Sequence, residues 1–195
     1  MKSFITVLVI CLFSGNIFAQ NAGKLMATYA YSAALPVYNR NVVGGADFES
    51  KGSSAFGMRY ILKSKKAITF ETGLEYARHK YVISSNLPPN IPATSREEKV
   101  ELLSVPVYAH LNFLKYLFVH GGALVDVELN KKNSIDKQSG IGLGLGLGGQ
   151  INIKRISFVI NPFLQRHAFV SFPDDTGTRQ SLLNTGVRVG LAYSL

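Results

Sequence analysis

Gly140-Ile141-Gly142-Leu143-Gly144-Leu145-Gly146-Leu147-Gly148 alternates one large apolar residue with one glycine over nine positions. In a β-strand successive side chains point to opposite faces, so all the bulk here lies on one face and none on the other. A helix would scatter both kinds around its axis and lose roughly 1 kcal/mol at each glycine. The pattern suits a strand with oil on one side and a crowded or wet space on the other.

The same period runs through most of the chain, and no stretch shows a convincing 3.6-residue stripe. Leu183, Thr185, Val187, Val189, Leu191, Tyr193 and Leu195 share one face, against Asn184, Gly186, Arg188, Gly190, Ala192 and Ser194. Phe70, Leu74 and Tyr76 oppose Glu71, Gly73 and Glu75. Val105, Val107, Ala109 and Leu111 oppose Ser104, Pro106, Tyr108, His110 and Asn112. A water-soluble barrel would turn its apolar face inward and cover its outside with Lys and Glu. Here the second face is mostly Gly, Ala, Ser and Asn with a few charges, which suits a small polar lumen inside an apolar outer wall.

Strands are expected at about 24–35, 53–63, 67–83, 98–114, 116–129, 139–151, 155–167 and 181–195. The linkers between them alternate long (36–52, 84–97, 130–138, 168–180) and short (64–66, 115, 152–154). Transmembrane barrels show this asymmetry, with short periplasmic turns and longer outer loops. The expected fold is therefore all-β: an eight-stranded antiparallel up-and-down transmembrane β-barrel with both termini periplasmic. Pro36, Pro88, Pro89, Pro92 and Pro173 fall in the expected outer loops, while Pro106 and Pro162 fall inside strands, where bulges are expected.

The chain begins with Lys2 and an apolar run from Phe4 to Phe13, followed by Ser14, Gly15 and Asn16 and then Ala19 before Gln20. This reads as a cleaved signal peptide over 1–19 and a barrel domain over 20–195. The run is too short for a spanning helix, and Val9-Ile10 ahead of Cys11 is not a lipid-attachment signal. Cys11 is the sole cysteine of the 195 residues, which excludes an intramolecular disulfide framework and a cysteine-cluster metal site. Charged residues are 17% of the chain, with 21 Lys+Arg against 12 Asp+Glu. The excess of base has no recognition helix or aromatic–basic motif beside it, so nucleic acid is not an expected partner.

Several residues carry possible chemistry. Arg59, Glu71, Glu75 and Arg188 all face the expected lumen, with Arg59 opposite Glu71 if the hairpin centres on Lys65; a salt-bridge network filling the barrel is the expectation. His110 and His120 become cross-strand neighbours if their turn centres on Lys115. A histidine pair needs a third ligand to hold Zn or Cu. Asp126 is about 20 Å along the strand, so the pair is expected to pack the lumen, with no metal and no cofactor. His79 and His167 fall near the expected outer rim. Gly144 to Gly149 matches G-x-G-x-x-G, but a strand follows it in place of the helix that a dinucleotide site requires. Ser104 and His110 share a strand face without a nucleophile–base–orienter arrangement, so no catalytic residues and no enzyme activity are expected. Lys63, Lys65, Lys66, Lys115, Lys154 and Arg155 gather at the short turns, and Arg96, Lys99, Lys131, Lys132 and Lys137 at the opposite rim, where they would meet anionic lipid and lipopolysaccharide.

Taken with the segment Val100-Glu101-Leu102-Leu103-Ser104-Val105-Pro106-Val107, the glycine-alternating strand and the last strand, the chain resembles the PorT-like family of small outer-membrane β-barrel domains. It is similar in plan to the eight-stranded OmpA and OmpX type. Gly190, Tyr193 and Leu195 resemble the terminal signal read by the barrel assembly machinery, with Leu195 in place of the usual Phe. The resemblance implies an outer-membrane location and a non-catalytic role as scaffold, loop-mediated binder or secretion-associated component. Two alternatives stay open: a soluble lipocalin-like barrel holding an apolar ligand, and a narrow channel for ions or small solutes.

Overall fold

A computed structural model describes residues 23–38, 47–62, 68–84, 95–130, 135–172 and 180–195. Eight strands form one closed antiparallel ring in chain order: β1 (Lys24–Tyr38), β2 (Asp47–Ile61), β3 (Ile68–Ser84), β4 (Ser95–Asn112), β5 (Leu117–Glu128), β6 (Gly140–Ile153), β7 (Ile156–Ser171) and β8 (Gln180–Ser194). Each strand pairs with its sequence neighbour, and β8 closes on β1 from Lys24–Ser194 to Tyr38–Gln180. Closure leaves no strand edge unpaired. The expected signal peptide, Pro88, Pro89, Pro92, Pro173 and the lysines at 63, 65, 66, 131 and 132 lie outside the described residues.

The two faces divide as the alternation requires. Leu143, Leu145 and Leu147 of β6, Val187, Val189 and Leu191 of β8, and Phe56, Phe70, Leu74 and Phe158 elsewhere all point outward and are exposed. This is the reverse of what a soluble barrel with an apolar interior needs. The inward glycines of β6 make room for large side chains from β4 and β5. A Cβ on Gly144 would lie 2.1 Å from the Tyr108 hydroxyl, on Gly146 2.3 Å from His120 Nε2, and on Gly148 2.2 Å from the Phe118 ring.

Around the end that carries Lys24, Leu195 and the turns after β4 and β6, Phe113, Tyr116, Phe158 and Tyr193 are exposed. Lys115 Nζ sits 5.3 Å from the centre of the Tyr116 ring, and Arg155 Nη1 donates to the Tyr193 hydroxyl at 3.4 Å. Aromatic rings beside cations are the residues that tolerate a membrane–water boundary.

The strands depart from the expected ones mainly at the loop end. β2 starts at Asp47 and β7 continues to Ser171. Pro36, expected in a loop, lies in β1 opposite Leu182. Asp47 to Gly52 carries Glu49, Ser50 and Lys51 and so lacks apolar alternation, which hides a strand from a hydrophobicity reading. Bulges were expected at Pro106 and Pro162, but the register is the same on both sides of each. The register shifts lie elsewhere: between Ser50 and Ser53, where Gly52 has φ +89°, and in the β6–β7 pairing, where Ala168 has φ +49°. Each proline removes one ladder donor without inserting a residue, whereas the left-handed residues sit where extra residues enter a strand, one in β2 and two in β7.

Inside the loop end, Ile135 joins Ala34, Tyr81, Val100, Leu102 and Leu182 in an apolar cluster. Gln138 is fully buried beside it. Its backbone N–H donates to Glu128 Oε2 at 2.6 Å, its side chain donates to the carbonyls of Asp136 and Gln180, and its Oε1 accepts the Leu182 N–H. Ile135 and Gln138, just before β6, thus lie inside the loop end of the barrel and fill it.

Candidate functional site

The middle of the barrel holds an alternating row of buried charges. Arg59 lies opposite Gly73, not opposite Glu71 as the hairpin arithmetic suggests. Glu71 and Glu75 flank Gly73 on the inward face of β3, so one guanidinium reaches both. Arg59 Nη1 donates to Glu71 Oε1, and Nη2 donates to Glu75 Oε2 at 2.8 Å. A Cβ on Gly73 would meet the Met58 carbonyl oxygen at 2.2 Å, so the close approach of β2 at this point requires glycine. Across the ring closure, Arg188 Nη2 donates to Glu75 Oε1 at 3.0 Å. The guanidinium carbon of Arg188 stands 4.2 Å from the centre of the Phe163 ring, and that of Arg59 5.6 Å from Tyr108. Burying four charges is costly one at a time and tolerable when each is paired and hydrogen-bonded.

Beside this row the histidine pair falls where its spacing places it, His110 opposite His120. The third group, which the sequence does not reveal, is Glu71. Its Oε2 lies 3.1 Å from His110 Nδ1 and 3.0 Å from His120 Nδ1. Glu71 comes from β3 and the histidines from β4 and β5, so the contact follows from barrel curvature and strand stagger. His110 stacks on Phe118 with ring centres 4.5 Å apart, and Tyr108 meets His120 edge-on at 5.0 Å. Among the described residues, Glu71, His110 and His120 form the group with metal-ligand types close together.

His79 and His167 were expected near the rim. Both point into the barrel and are 1% exposed, because β3 and β7 continue well past them. His167 Nδ1 meets Asp126 Oδ2 at 3.0 Å, and Ser104 Oγ donates to Asp126 Oδ1 at 2.5 Å. The order serine–aspartate–histidine places the acid in the middle. A nucleophilic serine needs the histidine next to it as base, so these three hold each other and do not form a catalytic triad. His110, the other partner considered for Ser104, engages Glu71.

Little space is left. A void of about 10 Å³ is bounded by Met26, Arg59, Glu71, His110, His120 and Asn161, among others. At the end carrying Gly23 and Leu195, a wider cavity of about 330 Å³ is lined by Lys24, Thr69, His110, Asn112 and Gln150. Of the terminal residues, Tyr193 and Leu195 are exposed, while Gly190 faces inward against Met26.

No family model and no curated protein matches this chain. Solved structures match its fold. The outer membrane protein AlkL, seen by solid-state NMR in lipid bilayers, aligns with a TM-score of 0.58 and 12% identity over 90% of this chain and 91% of its own. The outer membrane protein OprG of Pseudomonas aeruginosa aligns with a TM-score of 0.53 and 10% identity, covering 90% and 97%. At such identities the likeness concerns the fold alone: this chain has the closed eight-stranded architecture of the small outer-membrane barrels.

Proposed function

We propose that the protein is a non-catalytic outer-membrane barrel, with both termini on the periplasmic side, that works through its outer loops as a scaffold or binding element. The observation that carries this is the pairing of an apolar outer wall on the ring with an ion-paired interior. In water that arrangement would expose oil and bury charge; in a bilayer both choices are favourable. Every strand has at least 12 residues, more than the 9–11 or so that a tilted spanning strand needs. A filled interior leaves binding to the loops, which tolerate variation over a rigid frame. The PorT-like resemblance adds a secretion-associated partner as a more specific form of the same reading. Outer-membrane lipid, lipopolysaccharide and the barrel assembly machinery, the last through Gly190, Tyr193 and Leu195, are its expected contacts.

Gel mobility with and without boiling, on fractionated membranes in detergent, tests this reading. A heat-dependent shift in the outer-membrane fraction is expected. Recovery in the soluble fraction without a shift would sink it.

A further inference from the structure

Glu71, His110 and His120 each offer one ligand atom, and these atoms lie within 4.8 Å of one another. Glu71 Oε2 is 3.1 Å from His110 Nδ1 and 3.0 Å from His120 Nδ1. Ligand atoms around a tetrahedral zinc, bound at about 2.0–2.2 Å, stand apart by about 3.3 Å, so these two oxygen–nitrogen spacings are close to those of a liganded site. The void of about 10 Å³ touches all three residues. That is roughly the room one water needs, so the space beside these residues admits one small occupant.

The surrounding hydrogen bonds set the state of one ring. Asn161 Nδ2 donates to the Pro162 carbonyl at 3.1 Å, which fixes the amide with its oxygen toward His120. His120 Nε2 lies 3.1 Å from that oxygen. An amide oxygen only accepts, so Nε2 carries the hydrogen. Nδ1 is then the nitrogen aimed at the Glu71 carboxylate oxygen, and without a hydrogen it presents a bare lone pair there. Two acceptors at 3.0 Å repel unless a proton or a cation stands between them. A metal-bound histidine is commonly held in this way, with its far N–H on an oxygen.

We infer that Glu71, His110 and His120 form a binding site for one first-row divalent cation of the zinc type. Two imidazoles and a carboxylate suit Zn(II), Cu(II) or Ni(II) and disfavour Mg(II) and Ca(II), which take oxygen ligands. The cation enters from the 330 Å³ mouth, which shares His110 and Gln150 with the inner void. Arg59 holds the other oxygen of Glu71 and repels a cation, so the site is weaker than a dedicated structural zinc centre. Gly146 keeps the site open, since a Cβ there would lie 2.3 Å from His120 Nε2.

The test uses the full chain without an affinity tag, refolded in detergent and stripped with a chelator. Titration with Co(II) is expected to give visible bands of low-coordinate cobalt at one equivalent per chain, displaced by Zn(II) and not by Mg(II). His110→Gln and His120→Gln should each weaken binding by at least about tenfold, while His167→Gln leaves it unchanged. Gel mobility shows which variants fold. Should the first two fail to fold, ¹⁵N imidazole shifts of wild-type His110 and His120 on adding Zn(II) give the same answer. Absence of cobalt bands at millimolar Co(II), binding indifferent to both substitutions, or histidine shifts unmoved by Zn(II) would overturn the proposal.

Discussion

Glu75 receives Arg59 through Oε2 and Arg188 through Oε1. It thereby ties β2, β3 and β8 together from inside. Glu75→Gln removes the charge while keeping the shape, and leaves Arg188 buried with no carboxylate partner among its described contacts. Removing one partner of a buried pair costs about 3–5 kcal/mol, because the other charge stays in place. Denaturant unfolding in detergent micelles should show a destabilisation of that size. A change below about 1 kcal/mol, the scale of exposed pairs, would mean that water reaches the pair.

At the scale of the element, β6 shows why glycine and leucine alternate. Its outward leucines stand on the wall, and its inward glycines admit Tyr108, His120 and Phe118 from neighbouring strands. Leu145, outward and 58% exposed, separates the two settings the outer wall could have. Against lipid, Leu145→Arg should cost about 2–4 kcal/mol near the midplane. In water an exposed arginine in place of leucine would change stability by less than about 0.5 kcal/mol. Refolding yield and unfolding free energy in phospholipid vesicles decide between the two.

For the whole molecule, eight strands enclose a space that side chains can fill. Here the row from Glu71 to Arg188 fills the middle, while Ile135 and Gln138 fill the loop end. The narrow-channel alternative therefore meets an obstructed path. Planar bilayers containing the purified barrel should show no unitary current steps above the bare-membrane baseline. Regular steps whose size changes in Glu71→Gln would restore the channel reading.

Strand faces, strand number and the meeting of His110 with His120 follow from the sequence alone, because period-2 alternation and counting across a tight turn are local properties. The loop-side ends of the strands were less legible: Asp47 to Gly52 and the approach to Ser171 lie beyond the apolar pattern that marks a strand. The site itself needed the closed ring. Glu71 reaches the histidines from a third strand, Glu75 reaches Arg188 across the closure, and Asp126 reaches His167 across β6. Which inward side chains meet depends on strand stagger and barrel radius, set by all eight pairings together, and no single hairpin contains them.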